Sequence, residues 1–224
     1  MRTSQCLLIA ALGILIGGCV TTQHLSDEDR KNMSVVRINS PVQKVPRMYY
    51  SGPETAGARW FGAFGAIGGA AAGAAAGAEA AAGAAASATR VESAKVLQDF
   101  AETNGIFIEQ IAFQEIDSAL RQSGKLKVSG SGEPAGAIIN IAVYQYGFSI
   151  PHGLSSNLVP VVAIRCEMVD ATGNVIWSAS DRVLPLRNPV APMSLEAMRD
   201  NPKRIEDAWR RASKRIAENI AKTL

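Results

Sequence analysis

The hydrophobic spacing changes period at Gly124, and that change narrows the folds open to this chain. Before it, Val91, Ala94, Val96, Leu97 and Phe100 make a broad apolar side over residues 89–103. Ala112, Phe113, Ile116, Ala119 and Leu120 then recur at three- and four-residue spacing over 106–122, with Ile108 extending the stripe. Both spacings predict helices, with Asn104-Gly105 and Gly124 as their stops. After Gly124 the period is two. Residues 126–129 read as a short strand. Over 138–146, Ile139, Ile141 and Val143 alternate against Tyr144 and Tyr146. Over 161–169, Val162, Ile164, Cys166 and Met168 alternate against Ala163, Arg165, Glu167 and Val169. Such alternation marks strands. Asp170-Ala171-Thr172-Gly173-Asn174 reads as a hairpin turn into a strand that begins at Val175. A meander that follows helices predicts an α+β fold.

The two ends of the domain fit that plan. Residues 34–38 read as a first strand, and Pro41, Pro46, Gly52 and Pro53 bound a second extended piece around Tyr49. Near the C-terminus, Asn201 reads as an N-cap with Pro202 in the first helical position. Ile205, Ala208, Trp209, Ala212, Ile216 and Ile220 then form one stripe that should dock on the sheet. The opposite face carries Arg204, Arg210, Arg211, Lys214 and Arg215 with Glu206, Asp207 and Glu218 interspersed. It reads as a solvated face that can also meet anionic lipid or an acidic cell-wall polymer. The expected architecture is an antiparallel sheet on two central helices and a C-terminal amphipathic helix, with an Ala/Gly-rich helical insertion.

That insertion spans residues 57–88. Gly65, Gly69, Gly73 and Gly77 recur every four residues, so on a helix they form one smooth stripe. The pattern resembles a glycine zipper, in which a missing Cβ lets a second helix approach closely. Each glycine costs about 1 kcal/mol of helix propensity relative to Ala. A helix with four of them needs a partner or a membrane to offset that cost. Three readings stay open: a bilayer span, a helix packed on a protein or on a second copy, and a linker. As a span, Glu79 would cost about 2.5–3.5 kcal/mol near the bilayer centre.

At the other extreme of the chain, Arg2 precedes an apolar run from Leu7 to Ile16, which ends in Leu15-Ile16-Gly17-Gly18-Cys19. About ten apolar residues suit a signal peptide and are short for a membrane span. The motif resembles the lipobox of bacterial lipoproteins. The resemblance implies cleavage between Gly18 and Cys19, acylation of Cys19, and attachment to a membrane through it. Val20 stands where an aspartate would resemble an inner-membrane retention signal, which implies the periplasmic face of the outer membrane. The chain then divides into a signal peptide (1–18), a lipidated tether (19–33), first strands (34–56), the Ala/Gly segment (57–88) and the rest of the domain (89–224).

The formal charge of +3 is too weak a bias to imply nucleic acid. Cys6 leaves with the signal and Cys19 is the lipid site. Only Cys166 remains, so the mature chain has no intramolecular disulfide, and Cys166 reads as a buried small hydrophobe. The histidines are His24 in the tether and His152 in a Pro-His-Gly loop. No nucleophile elbow precedes Ser149, Ser155 or Ser156, and no metal-ligand spacing is visible, so neither a metal nor a cofactor is expected.

The run from Glu167 to Trp177, with its Asp-x-x-Gly turn and strand tryptophan, resembles the hairpin of small envelope lipoproteins. These include the curli-secretion lipoprotein and the lipoprotein activators of penicillin-binding proteins, whose shared domain resembles the N-terminal domain of the Tol-system β-propeller protein. The resemblance implies an α+β domain over residues 34–224 and an accessory or assembly role. It supplies no catalytic residues. The long paired hairpins of the curli channel are not evident, so pore formation is not carried over. The expectation is a non-enzymatic lipoprotein that binds a protein partner or itself. The connection 147–160, with Leu154, Leu158 and Val159, and the Ala/Gly segment are the expected contact surfaces. The rival is an oligomeric membrane-embedded channel or secretion subunit built on the glycine stripe.

Overall fold

A computed structural model describes residues 22–33, 35–52, 79–130, 133–152 and 155–224. Along the chain its elements are α1 (Asp27–Asn32), β1 (Val35–Ile38), β2 (Gln43–Lys44), β3 (Tyr49–Ser51), α2 (Glu79–Thr103), α3 (Ile108–Ser123), β4 (Lys127–Val128) and β5 (Ala137–Ser149). β6 (Val159–Asp170), β7 (Val175–Val183), a 3-10 turn (Pro185–Arg187), α4 (Leu195–Asp200) and α5 (Lys203–Lys222) complete it. The fold is α+β, as the change of period predicts.

Among the described residues, seven strands form one mixed sheet in the order β4-β1-β5-β6-β7, with β2 and β3 also pairing with β5. The meander β5-β6-β7 is antiparallel. β1, β2 and β3 run parallel to β5, and β4 runs parallel to β1. The expected antiparallel sheet is therefore half of the real one. The other half is parallel because α2 and α3 carry the chain back before β5 begins, the crossover that a parallel pair requires.

The hairpin turn is built as its residues suggest. Asp170 Oδ1 accepts hydrogen bonds from the Thr172 amide at 2.8 Å, the Thr172 hydroxyl at 2.7 Å and the Asn174 amide at 2.9 Å. Gly173 supplies the positive φ of +88°. These hydrogen bonds hold the Asp170 carboxyl below its ordinary pKa, the Thr172 hydroxyl contributing most.

β5 departs from simple alternation. Val143 pairs with Ile164 and Gln145 with Ala163, so Tyr144 is an extra residue, a β-bulge. The bulge shifts the phase by one. Ile139, Ile141 and Val143 face the core before it, and Tyr146 and Phe148 after it. Tyr146, expected on the far side with Tyr144, is 2% exposed, whereas Tyr144 is 41% exposed. β5 also runs on through Gly147, where the sequence predicts a loop. Gly147 has φ +143°, and a Cβ built on it would stand 1.8 Å from the Tyr49 carbonyl oxygen. The glycine there permits close approach of β3 and does not end the strand.

The core lies between the sheet and the helices. Leu97 and Ala101 of α2, Ile108, Ala112, Ile116 and Leu120 of α3, and Ile205, Ala208, Ala212, Ile216 and Ile220 of α5 are all buried. They meet Ile139, Ile141, Val162, Ile164, Cys166 and Met168 of the sheet. Each large aliphatic side chain buried there contributes about 1.5–3 kcal/mol. Trp209 packs edge-on to Tyr146 and stacked on Phe148, both at 5.7 Å, and Trp177 Nε1 donates to Thr223 Oγ1 at 3.2 Å. α5 starts one residue later than its sequence suggests: Pro202 is its cap, while Asn201 closes α4 with its amide donating to the Ala197 carbonyl. Val91 belongs to the expected apolar side of α2 but is 52% exposed.

Candidate functional site

The residues assigned to lipidation and cleavage, Cys19 and Gly18, lie outside the described residues. So do the four stripe glycines, Gly65, Gly69, Gly73 and Gly77. Residues 79–88, the end of the Ala/Gly stretch, form the start of α2. Among the described residues, no helix is long and apolar enough to cross a membrane.

The chain that follows Cys19 is held on the domain from Gln23 onward. The Gln23 amide donates to the Ser178 carbonyl at 2.9 Å, and the Ser178 amide donates back at 3.2 Å. This is an antiparallel bridge on the outer edge of β7. Gln23 Nε2 adds a bond to the Val175 carbonyl at 3.1 Å. Leu25 and Met33 are buried. Ser26 caps α1 by accepting the Asp29 amide at 3.0 Å, and Arg30 Nη2 donates to the Leu224 main-chain oxygen at 2.7 Å. The polar stretch read as a tether is thus fastened to the domain from Gln23 onward. Its sequence gave one unused signal, Leu25, an apolar residue just before an N-cap serine.

The expected contact loop is different in structure. Residues 147–149 belong to β5, Leu158 is fully buried and Val159 is 1% exposed. Leu158 bridges Met193 through two backbone hydrogen bonds of 2.8 and 2.9 Å, so its side chain serves the core. Leu154 lies outside the described residues. His152 is exposed, and the nearby hydroxyls are engaged locally: Ser149 donates to the Ile150 carbonyl and Ser155 to the Asn157 carbonyl. Cys166 is fully buried, and burial pushes its thiol pKa up to about 12, far from a nucleophilic thiolate. Among the described residues, no three His, Cys, Asp or Glu side chains gather to hold a metal ion.

Two clefts flank the parallel half of the sheet. One, of about 330 Å³, is lined by Arg37, Asn39, Ser40, Phe113, Asp117 and Arg121 among others. Its polar groups are largely satisfied from within. Arg121 Nε donates to both Asp117 oxygens at 2.9 Å and its Nη1 to the Val128 carbonyl at 2.9 Å. Asn39 Nδ2 donates to Asn140 Oδ1 at 2.9 Å. The other, of about 340 Å³, lies between the β2–β3 connection and α2, lined by Pro46, Met48, Val91, Ala94, Lys95 and Gln98 with neighbours.

Sequence reasoning missed the charged network beside this second cleft. Lys44 Nζ lies 3.2 Å from Glu102 Oε1 and 3.1 Å from Glu109 Oε2, tying β2 to both central helices. Gln98 extends the tie, accepting from the Met48 amide at 3.1 Å and donating to Glu102 Oε1 at 3.1 Å. Lys44 also lies 5.9 Å from the centre of the Tyr146 ring. Burial first, then the charges of Glu102 and Glu109, pushes the Tyr146 phenol up to about 12. The residues are scattered over 44, 98, 102, 109 and 146, so no local motif betrays them. Their geometry fastens a strand; it presents no reacting pair.

No family model matches this chain, and no curated protein matches it in sequence. Solved structures to which it is similar in part include the following three. PelC from Paraburkholderia phytofirmans, a dodecamer, is 16% identical over 52% of this chain and 75% of that one, with a TM-score of 0.34. A DUF330 protein from Xanthomonas campestris is 12% identical over 85% and 82%, with a TM-score of 0.40. Lipoprotein GNA1162 from Neisseria meningitidis is 17% identical over 67% and 81%, with a TM-score of 0.23. Likeness at this level carries no functional assignment.

Proposed function

We propose that this chain is a non-enzymatic envelope lipoprotein, acylated at Cys19 after cleavage behind Gly18. It is held on the periplasmic face of the outer membrane, where its α+β domain binds a protein partner in envelope assembly. The observation that carries this reading is the run from Leu15 to Cys19, followed within four residues by a chain bound to the domain at Gln23. A lipid on Cys19 would be joined to a folded surface by a very short connection. Acyl chains contribute about 0.8 kcal/mol per buried methylene, so two or more chains anchor the protein without any spanning helix.

The test is metabolic labelling with a fatty acid. The full chain should take up label and lose residues 1–18, and Cys19→Ser should abolish both. Label that persists in Cys19→Ser sinks the assignment. Crosslinking in intact envelopes then identifies the partner. The rival channel reading requires the glycine stripe to hold an oligomer together. Gly69→Leu combined with Gly73→Leu should break such an oligomer, and an unchanged oligomeric state removes that reading.

A further inference from the structure

The bridge at Gln23 gives the anchor a direction. It is antiparallel, so Gln23, followed back toward Thr22, heads along the edge of β7 from Ser178 toward Val183. Four residues lead from Gln23 to Cys19, an extended reach of about 14 Å. From Ser178 to Leu184 the strand rises roughly 20 Å at about 3.3 Å per residue. A chain of that reach taking that direction would bring a lipid on Cys19 to within roughly 6 Å of Leu184 along the strand.

That end carries the most exposed large apolar side chain among the described residues. Leu186, in the 3-10 turn, is 84% exposed, and Leu184, two residues earlier, is 41% exposed. Single exposed leucines are ordinary, but these two share one short turn. Pro185 between them limits the backbone freedom of the turn. Arg182, also exposed, precedes them and Arg187 follows in sequence. An apolar tip preceded by an exposed arginine suits the interface of a bilayer with anionic lipid.

We propose that the turn Leu184-Pro185-Leu186 enters the headgroup region of the bilayer that holds the acylated Cys19. The domain then touches the membrane at two points and keeps one orientation, with the Val183 end of β7 toward the lipid. This rests on the acylation proposed above. The opposite end of β7, at Val175, stands away from the bilayer.

The test uses the full-length lipoprotein in vesicles of phosphatidylethanolamine and phosphatidylglycerol. A polarity-sensitive fluorophore is attached at Leu186→Cys or, for comparison, at Val175→Cys. Both positions are exposed, so the changes are tolerated, and the buried Cys166 stays unlabelled. Mass spectrometry of the same samples reports the acyl groups. The expected result is a blue-shifted emission at 186 with several-fold stronger quenching by spin-labelled lipid than at 175. An acylated protein whose label at 186 is as wet as that at 175 overturns the proposal and leaves acylation standing. A label at 186 that is shielded yet not quenched by the lipid also overturns it, since a protein surface then covers the turn. A protein without acyl mass overturns the acylation itself, and this proposal with it.

Discussion

The Tyr49 carbonyl oxygen fills the space that a side chain on Gly147 would need, 1.8 Å from where its Cβ would stand. The Tyr49 carbonyl carbon and Met48 Cγ would lie within 2.8 Å of the same point. β3 and β5 are paired there, Tyr49 opposite Gly147, so relief would require a strand to shift. Gly147→Ala should therefore destabilise the domain by more than about 4 kcal/mol. Gly124→Ala is the control: its φ is also positive, at +63°, but nothing lies within 4 Å of the added carbon. Its cost should be about 1–2 kcal/mol, the ordinary penalty of a left-handed residue. Urea unfolding of the two variants measures the difference, and equal costs would contradict the close approach.

Gln23→Pro removes the amide that donates to Ser178 and should release the N-terminal segment from β7. A loss of about 1 kcal/mol is expected, that of one backbone hydrogen bond. The sharper readout is hydrogen exchange. The Ser178 amide, which donates to the Gln23 carbonyl, should lose protection while the Cys166 amide, inside the β6–β7 ladder, keeps its own.

Lys44→Met leaves Glu102 and Glu109 without the cation between them. All three side chains are partly exposed, at 23%, 38% and 26%, so solvent screens much of the attraction. The expected cost is about 1–2 kcal/mol. A double-mutant cycle with Glu109→Gln should show coupling between the two positions, whereas additive losses would mean that Lys44 acts through packing alone.

Burial raises the Tyr50 and Tyr146 phenols to about 12 from the usual 10, and the Cys166 thiol to about 12 from 9. In each case the folded state holds the proton more tightly than the unfolded chain. Stability is therefore complete below pH 9. It falls as the unfolded chain ionises first the thiol and then the phenols, and continues to fall up to about pH 12. The melting temperature should be flat near neutrality and drop from pH 9 upward. Cys166→Val should delay the onset to about pH 10. A wild-type curve that stays flat to pH 11 would contradict the burial of these groups.

How much of this was legible in the sequence depends on how local each determinant is. The helices α2, α3 and α5, the hairpin at Asp170–Asn174 and the buried Cys166 follow from spacing and turn chemistry within a few residues, whereas the short α1 and α4 do not. The strands β2 and β3 do not, because two or three residues carry no period and their partner lies about 100 residues away. Tyr146 is misplaced by simple alternation because one extra residue, Tyr144, reverses the faces. Gly147 reads as a break because its actual reason, the backbone of Tyr49, is a tertiary contact. The docked segment at Gln23 is similar: its affinity for β7 resides in main-chain groups that every sequence possesses. For the candidate site, Cys19 is legible as a motif, while the turn proposed to meet the membrane needs the direction of a single bridge.

β5 pairs with β1, β2 and β3 along one edge and with β6 along the other. A chain is made from its N-terminus, so the first three strands exist long before the strand that organises them. Until Ala137–Ser149 has been made, β2 and β3 have no ladder to join and β1 has only the two-residue β4. Pairings of such sequence separation are slow to form and leave strand edges open meanwhile. Early fragments that end before β5 should hold no more sheet than the short β1–β4 pair and be prone to aggregation. Folding of this domain is thus paced by the arrival of one strand, and a holding chaperone would be needed most just before it.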